Sequence, residues 1–181
     1  QGRQRAIPVR VYLGANYCDE VSTALLQHEE SLMKVGLVYD HEQRPETTGF
    51  YCRRALGKLV DVEHLVPHEL ALVNPSTFDL FVFVDDGLDY NIPEQCRPRA
   101  AWAIDTHLNM ARSVERFGDA EFLFAAQQNG AMALQQITNR VVHWLPLACD
   151  PDVHHPMSSE TKCFDLGFVG NPVGTDRQRL L

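Results

Sequence analysis

The 181-residue sequence predicts an α/β fold, with a Rossmann-like open parallel sheet and helices on both of its faces. Short apolar runs alternate with helix-length segments, which is the pattern of βαβ units with right-handed crossovers. The run 78–84 (FDLFVFV) is almost continuously apolar, as expected of a strand that is buried on both faces. We therefore expect several parallel strands in one sheet with helices packed on both sides.

Taken in order, six segments predict strands because they are short and rich in β-branched or aromatic residues: 35–39, 60–66, 78–84, 100–104, 121–125 and 141–145. The segment 41–49 (HEQRPETTG) is polar and contains Pro45, which is typical of a loop. Thr47 or Thr48 can cap a helix that extends to Lys58. Apolar periodicity predicts two more helices, over 108–117 and 129–137.

The same patterns divide the chain into four parts. Residues 33–147 form the Rossmann-like domain, and residues 1–32 form an N-terminal extension or the tail of an upstream domain. The alternative is that 9–13 is the first strand and Gly14 its turn, but a start at Met33 gives regular βαβ spacing. Residues 148–162 are rich in Pro, Asp, His and Ser and predict an interdomain linker. Residues 163–181 then resemble the first strand, loop and helix of a truncated second domain.

Composition excludes several classes of protein. Apolar residues make up 45% of the chain, which excludes wholesale disorder. The net charge of −8 argues against nucleic acid as a partner, because phosphate binding needs a basic face. The longest strictly apolar runs, 80–84 among them, are too short to span a membrane, and no secretory signal pattern is found. We expect a cytoplasmic protein.

Cysteine and histidine spacing predicts no metal site. The five cysteines include no C-x-x-C pair, and their odd number excludes a closed disulfide framework. His64 and His68 lie four residues apart, but Pro67 between them argues against a helix that presents both to a metal.

Ligands of open α/β sheets bind beyond the carboxyl ends of the strands. None of the loops at these ends contains a G-x-G-x-x-G or P-loop sequence, so no dinucleotide cofactor is predicted. Thr47, Thr48 and Gly49 open a helix, where they either attract an anion or act as a plain N-cap and turn. Asp105 and His107 follow a strand, where they are either a general base with its partner or an ordinary surface pair. The four loops are HEQRPETTG, DDGLDYN, DTH and AQQNG.

Two further features have competing interpretations. Asp85 and Asp86 could hold a divalent cation, but adjacent side chains diverge as they leave a strand. We therefore expect Asp85 to cap the strand end and Asp86 to form a turn and a polar wall of the cleft. Trp102 and Trp144 could stack on a sugar, but each lies in a predicted strand, which favours packing in the core.

Four segments of the chain, together with its opening MKVGLVYD (33–40), resemble one family. The family is the CgeB-like (spore maturation protein) glycosyltransferases of GT-B fold, and the resemblance covers roughly residues 33–181. Its most specific part is WLPLACDP (144–151), which resembles the sequence that closes the N-terminal domain in GT-B enzymes. The four segments are RPRAAWAIDTH (97–107), FLFAAQQNGAMAL (122–134), HWLPLACDPDVHHP (143–156) and DLGFVGNPVGTDRQRLL (165–181).

The resemblance implies two Rossmann-like domains that face a cleft, with the acceptor mainly on the first domain and a nucleotide-sugar donor mainly on the second. It implies no obligate metal and no cofactor besides the donor. Thr47, Thr48 and Gly49 would then lie near the donor diphosphate, and Asp105 or His107 would act as the base. The first loop of the donor domain would contribute three more donor-binding residues: Gly170, Asn171 and Arg177.

The rest of a donor domain is absent from these 181 residues, so we expect them to have little transferase activity alone. The alternative is a non-catalytic Rossmann-like module that binds a small ligand or a protein partner. In either case residues 1–32 are a possible docking tail for another protein.

Overall fold

A computed structural model describes residues 32–42 and 47–156. Six parallel strands form one open sheet in the order β2-β1-β3-β4-β5-β6, which confirms the predicted fold class. The elements are β1 (Lys34–Val38), α1 (Thr48–Leu56), β2 (Asp61–Leu65), β3 (Leu80–Val84), β4 (Arg99–Ala103), α2 (Met110–Phe117), β5 (Phe122–Ala125), α3 (Gln128–Thr138) and β6 (Val142–Trp144).

The link between β2 and β3 contains two short 3₁₀ helices, Pro67–Leu72 and Pro75–Thr77, for which the sequence analysis predicted no element. Each begins with a proline, whose fixed φ suits the first turn of a helix. Leu70 from the first of them is buried and joins the core. The predicted strands and helices differ from the observed ones by one or two residues at their ends.

The sheet has a hydrophobic core on each face. On one face α2 and α3 pack on the central strands, where Phe81, Phe83 and Leu123 are fully buried with Phe117 of α2 and Leu134 of α3. On the other face Cys52 and Leu56 of α1 pack against a smaller group that consists of Leu37, Tyr39, Val84, Ile104 and Ala126. The helices therefore lie on both faces of the sheet, as predicted.

The expectation that Trp144 packs in the core is wrong. Its side chain is 54% exposed, because β6 has only three residues and lies at the end of the strand order, where no further strand in the described part of the chain covers it. Trp102, in contrast, is partly buried on the face that carries α1, and its indole N–H donates to the carbonyl oxygen of Leu145 at 2.9 Å.

Residues 145–154, here called the strap, run from the end of β6 to the helix α1. Arg54 of α1 donates from Nε to a carboxylate oxygen of Asp150 at 2.7 Å, and Lys58 forms an ion pair with Asp152 at 3.1 Å. The rings of Tyr51 and His154 are in contact as well. The first residues of the predicted 148–162 linker are thus attached to the Rossmann-like domain.

The predicted extension over residues 1–32 lies outside the described residues, except for Leu32, and so does the predicted second domain over 163–181. The domain boundaries therefore stay a prediction. In the ranges 32–42 and 47–156, no helix combines the length and the apolar composition that crossing a membrane requires.

Candidate functional site

A cavity of about 630 Å³ opens at the carboxyl ends of β1, β3 and β4. The chain leaves β1 towards β2 at one edge of the sheet and leaves β3 towards β4 in the opposite direction. This reversal creates a crevice between the loops, which is the usual place for a ligand in an open α/β sheet. The cavity is lined by Thr47, Thr48, Asp85, Asp86, Gly87, Ile104, Asp105, Leu108, Asn109, Arg112 and Ser113.

Four of the predicted site residues lie together in this cavity: Thr47, Thr48, Asp86 and Asp105. Two others do not line it. Gly49 is buried beneath the ring of Tyr39, and His107 is exposed on the loop that follows β4. The predicted donor residues Gly170, Asn171 and Arg177 lie outside the described residues.

The carboxylates of Asp85 and Asp86 point to different partners. Asp85 accepts hydrogen bonds from the backbone N–H groups of Gly87 and Ile104 and pairs with Arg112. Asp86 is buried and accepts from the N–H groups of Asp40 and Leu88, so it ties the end of β1 to the loop after β3. This divergence is the one expected of neighbouring residues at a strand end.

The two carboxylates therefore shape the loop after β3, and Gly87 completes the turn with φ of 78°, a conformation that favours glycine. Among the residues that the structure describes, no group of three or more His, Cys, Asp or Glu side chains is placed to hold a metal ion.

Arg112 of α2 is a cavity residue that the sequence analysis missed. Its guanidinium donates to Asp85 at 2.9 Å, to Asp89 at 2.8 Å and to the carbonyl oxygen of Leu88 at 2.7 Å. The position of Arg112 in the sequence does indicate a special role. It lies in the first turn of a helix, where the helix dipole disfavours a cation. An arginine at that position needs acidic partners nearby, and the DDGLD segment supplies them.

Known proteins add no further assignment. No protein-family model, curated protein or solved structure matches the chain.

Asp105 differs from the other two carboxylates of the cavity. It is exposed, and its carboxylate forms no hydrogen bond or ion pair with any residue in the described ranges. Thr47 Oγ1, which is buried near the mouth of the same cavity, has no hydrogen-bond partner there either. Asp105 is thus a polar group of the cavity wall whose hydrogen-bonding capacity is still available to a ligand.

The charge of the cavity favours a ligand with hydroxyl groups over one with phosphate. Three carboxylates line it against one guanidinium, and that guanidinium is already bound to Asp85 and Asp89. A carboxylate accepts hydrogen bonds from hydroxyl groups, whereas it repels a phosphate at the same distance.

The position of Asp105 is set by its neighbour Thr106. Thr106 is 1% exposed, and its hydroxyl donates to the side-chain oxygen of Gln127 at 3.0 Å. A Cβ atom at Gly130 would overlap Thr106 Oγ1, so the glycine lets the first turn of α3 approach this loop closely. Thr106 therefore anchors the D-T-H loop, while Asp105 and His107 remain exposed on either side of it.

The first turn of α1, which contributes Thr48 to the cavity, rests on Tyr39. A Cβ atom at Gly49 would overlap the Tyr39 ring, so only glycine permits this approach. On β2, His64 stacks on Tyr39 with the ring centroids 3.9 Å apart, and its Nε2–H donates to the Tyr39 carbonyl oxygen at 2.9 Å. His64, Tyr39 and Gly49 thus support one wall of the cavity.

Acidification is expected to destabilise the protein through His64. Burial holds the pKa of His64 below its ordinary value of 6.5, with smaller contributions from the charges of His41 and Arg53. The unfolded chain then binds a proton more readily than the folded one, so the free energy of unfolding falls as the pH drops below about 6.5.

The measurement is urea unfolding between pH 7.5 and 5 for the wild type and two variants. His64→Gln should show a weaker loss of stability at acidic pH, whereas the exposed control His68→Gln should behave like the wild type. An unchanged pH dependence in His64→Gln would contradict this assignment.

Proposed function

We propose that residues 33–147 are the acceptor-side domain of a glycosyltransferase, which moves a sugar from a nucleotide-sugar donor to an acceptor hydroxyl. The observation that carries the proposal is the cavity at the switch point, in which the unpaired carboxylate of Asp105 faces a pocket suited to hydroxyl groups. The resemblance of residues 33–181 to CgeB-like glycosyltransferases supports the same function.

In this proposal the cavity holds the acceptor, and Asp105 is the general base. The acceptor oxygen forms a bond to the anomeric carbon of the donor sugar, and the bond from that carbon to the diphosphate oxygen breaks. The acceptor proton passes to the Asp105 carboxylate. The diphosphate leaves with the electron pair of the broken bond and needs cationic or N–H partners from outside this cavity.

Arg112 is not one of those partners in this proposal, because it already holds Asp85 and Asp89. Thr47 and Thr48 border the cavity at the start of α1, where backbone N–H groups and the helix dipole favour an anion. They are the part of this domain that we assign to the edge of the donor diphosphate. His107 is the less favoured base, because it lies outside the cavity.

Asp105→Asn is expected to lower the rate of sugar transfer by about 10²–10⁴-fold, which is the usual contribution of a general base. The assay measures release of nucleoside diphosphate by the intact protein from a panel of UDP-, GDP-, ADP- and dTDP-sugars with mixed saccharide acceptors. Asp61→Asn is the matched control, because Asp61 is an exposed residue at the amino end of β2, the opposite edge of the sheet.

Transfer at the wild-type rate by Asp105→Asn would contradict the role of Asp105. Calorimetry with the same panel separates the two functions considered above. If no nucleotide sugar and no saccharide binds, the proposed transferase is excluded and a non-catalytic binding module is favoured.

A further inference from the structure

A second cavity of about 300 Å³ lies between α3 and the edge strand β6. It shares no residue with the switch-point cavity, so an inference about it does not depend on the function proposed above. Ala131 and Val142 are buried and form its floor. The walls and rim are formed by Gln128, Met132, Gln135, Gln136 and Trp144.

The indole of Trp144 is held in place while much of its surface stays open. Its Nε1–H donates to the carbonyl oxygen of Ala126 at 3.2 Å, and 54% of the residue is exposed. A buried tryptophan N–H usually finds such a partner, but an indole that is anchored and also half exposed presents a flat apolar surface at a fixed position. A ligand that stacks on this surface therefore costs little side-chain entropy.

The polar groups around Trp144 are all neutral. Gln135 and the adjacent Gln136 lie about two turns after Gln128 on α3, and the amides of all three have no hydrogen-bond partner among the described residues. Each amide can donate two hydrogen bonds and accept others. The lining contains no Asp, Glu, Lys or Arg.

We propose that this cavity, here called the Trp144 groove, binds a neutral saccharide. A sugar ring has an apolar face of C–H groups that can lie on the indole, and hydroxyl groups around its rim that the three glutamine amides can both donate to and accept from. The lining contains no cation to pair with a phosphate or carboxylate group, which favours a neutral ligand. The volume is at the lower end of the range of small-molecule sites, which fits one or two sugar rings.

A protein partner is the less favoured occupant. Pairing of a partner strand with β6 would engage only three residues, Val142–Trp144, and it would leave the glutamine stripe of α3 unused. The saccharide uses both the indole and the amides.

The test exploits the fact that the chain has two tryptophans. In Trp102→Phe, Trp144 is the sole tryptophan reporter, and its emission is followed during titration with maltotriose, cellotriose and triacetylchitotriose up to about 10 mM. At least one of these neutral trisaccharides should give a saturable change. Glucose 6-phosphate should give none.

Calorimetry then measures the affinity of the active trisaccharide for the wild type and four variants. Trp144→Ala should weaken binding by about tenfold or more, which is the expected loss of one aromatic contact, and Trp144→Phe should keep part of the affinity. Gln135→Leu should weaken binding severalfold. Asp105→Asn should bind like the wild type, which separates this site from the switch-point cavity.

Wild-type affinity in Trp144→Ala would overturn the proposal, and so would the lack of a saturable signal with all three trisaccharides. Self-association that Trp144→Ala abolishes would assign the groove to a second copy of the chain instead.

Discussion

Arg112→Met is expected to lower the free energy of unfolding by about 3–5 kcal/mol, the usual result of removing one partner of a buried ion pair. The substitution leaves the Asp85 carboxylate, whose side chain is 5% exposed, without its cation. The two backbone N–H groups that remain, from Gly87 at 3.2 Å and Ile104 at 3.4 Å, are neutral donors and do not replace the charge of the guanidinium. The measurement is urea unfolding monitored by circular dichroism.

Two variants show whether the buried charge is the cause. Arg112→Met combined with Asp85→Asn should recover about 1–3 kcal/mol relative to Arg112→Met, because residues in direct contact couple by this amount. Lys58→Met removes an ion pair with Asp152 in which both side chains are more than half exposed, and it should cost about 1 kcal/mol or less. Equal losses in Arg112→Met and Lys58→Met would show that burial of the pair is unimportant.

Gly49→Ala is expected to lower the free energy of unfolding by about 3 kcal/mol, the upper end of the range for overpacking a core. The added methyl group would overlap Tyr39, which is 2% exposed and is stacked against His64. The Tyr39 ring is buried and has little room to move, so we expect α1 to shift instead. That shift displaces Thr48, and binding at the switch-point cavity should weaken as well.

Gly57→Ala is the matched control at the other end of α1. Gly57 has φ of −63° and ψ of −11°, which any residue adopts, and its Cβ would contact the carbonyl oxygen of Arg53 at 3.1 Å, a tight contact that a small shift at the end of the helix relieves. Its urea midpoint should therefore stay close to that of the wild type. A wild-type midpoint in Gly49→Ala would show that Tyr39 is free to move.

The sheet and most of its elements could be predicted because a strand that is buried on both faces needs a continuous apolar run. The run around Phe81 and Phe83 is of this kind, and it forms the central strand β3. Ends of elements are harder to place, since they depend on single contacts. Apolar periodicity predicts that the helix begins at Leu108, but the side chain of Asn109 accepts from the Arg112 N–H and caps α2, which begins two residues later.

The sequence predicted only the part of the candidate site that follows from general rules about where strands end. Those rules identified Thr47, Thr48, Asp86 and Asp105, because all of them follow strands of a parallel sheet. The pairing of Asp85 with Arg112 joins residues 27 positions apart and depends on how α2 packs against the loop after β3.

The exposure of side chains at the edge of the sheet could not be predicted from the sequence, for a different reason. The alternation of residues along a strand indicates which side chains share a face, but only the order of strands shows which strand lies at the edge. Trp144 was assigned to the core for this reason, and its actual exposure creates the Trp144 groove.

The strap also determines how mechanical force passes through the molecule. Because Asp150 and Asp152 are tied to Arg54 and Lys58, tension applied to the residues that follow Pro156 is delivered first to α1 and not to the short strand β6. Thr48, at the beginning of that helix, borders the switch-point cavity. A load on the strap would therefore reach the helix that contributes Thr48 to the cavity wall before it reached β6.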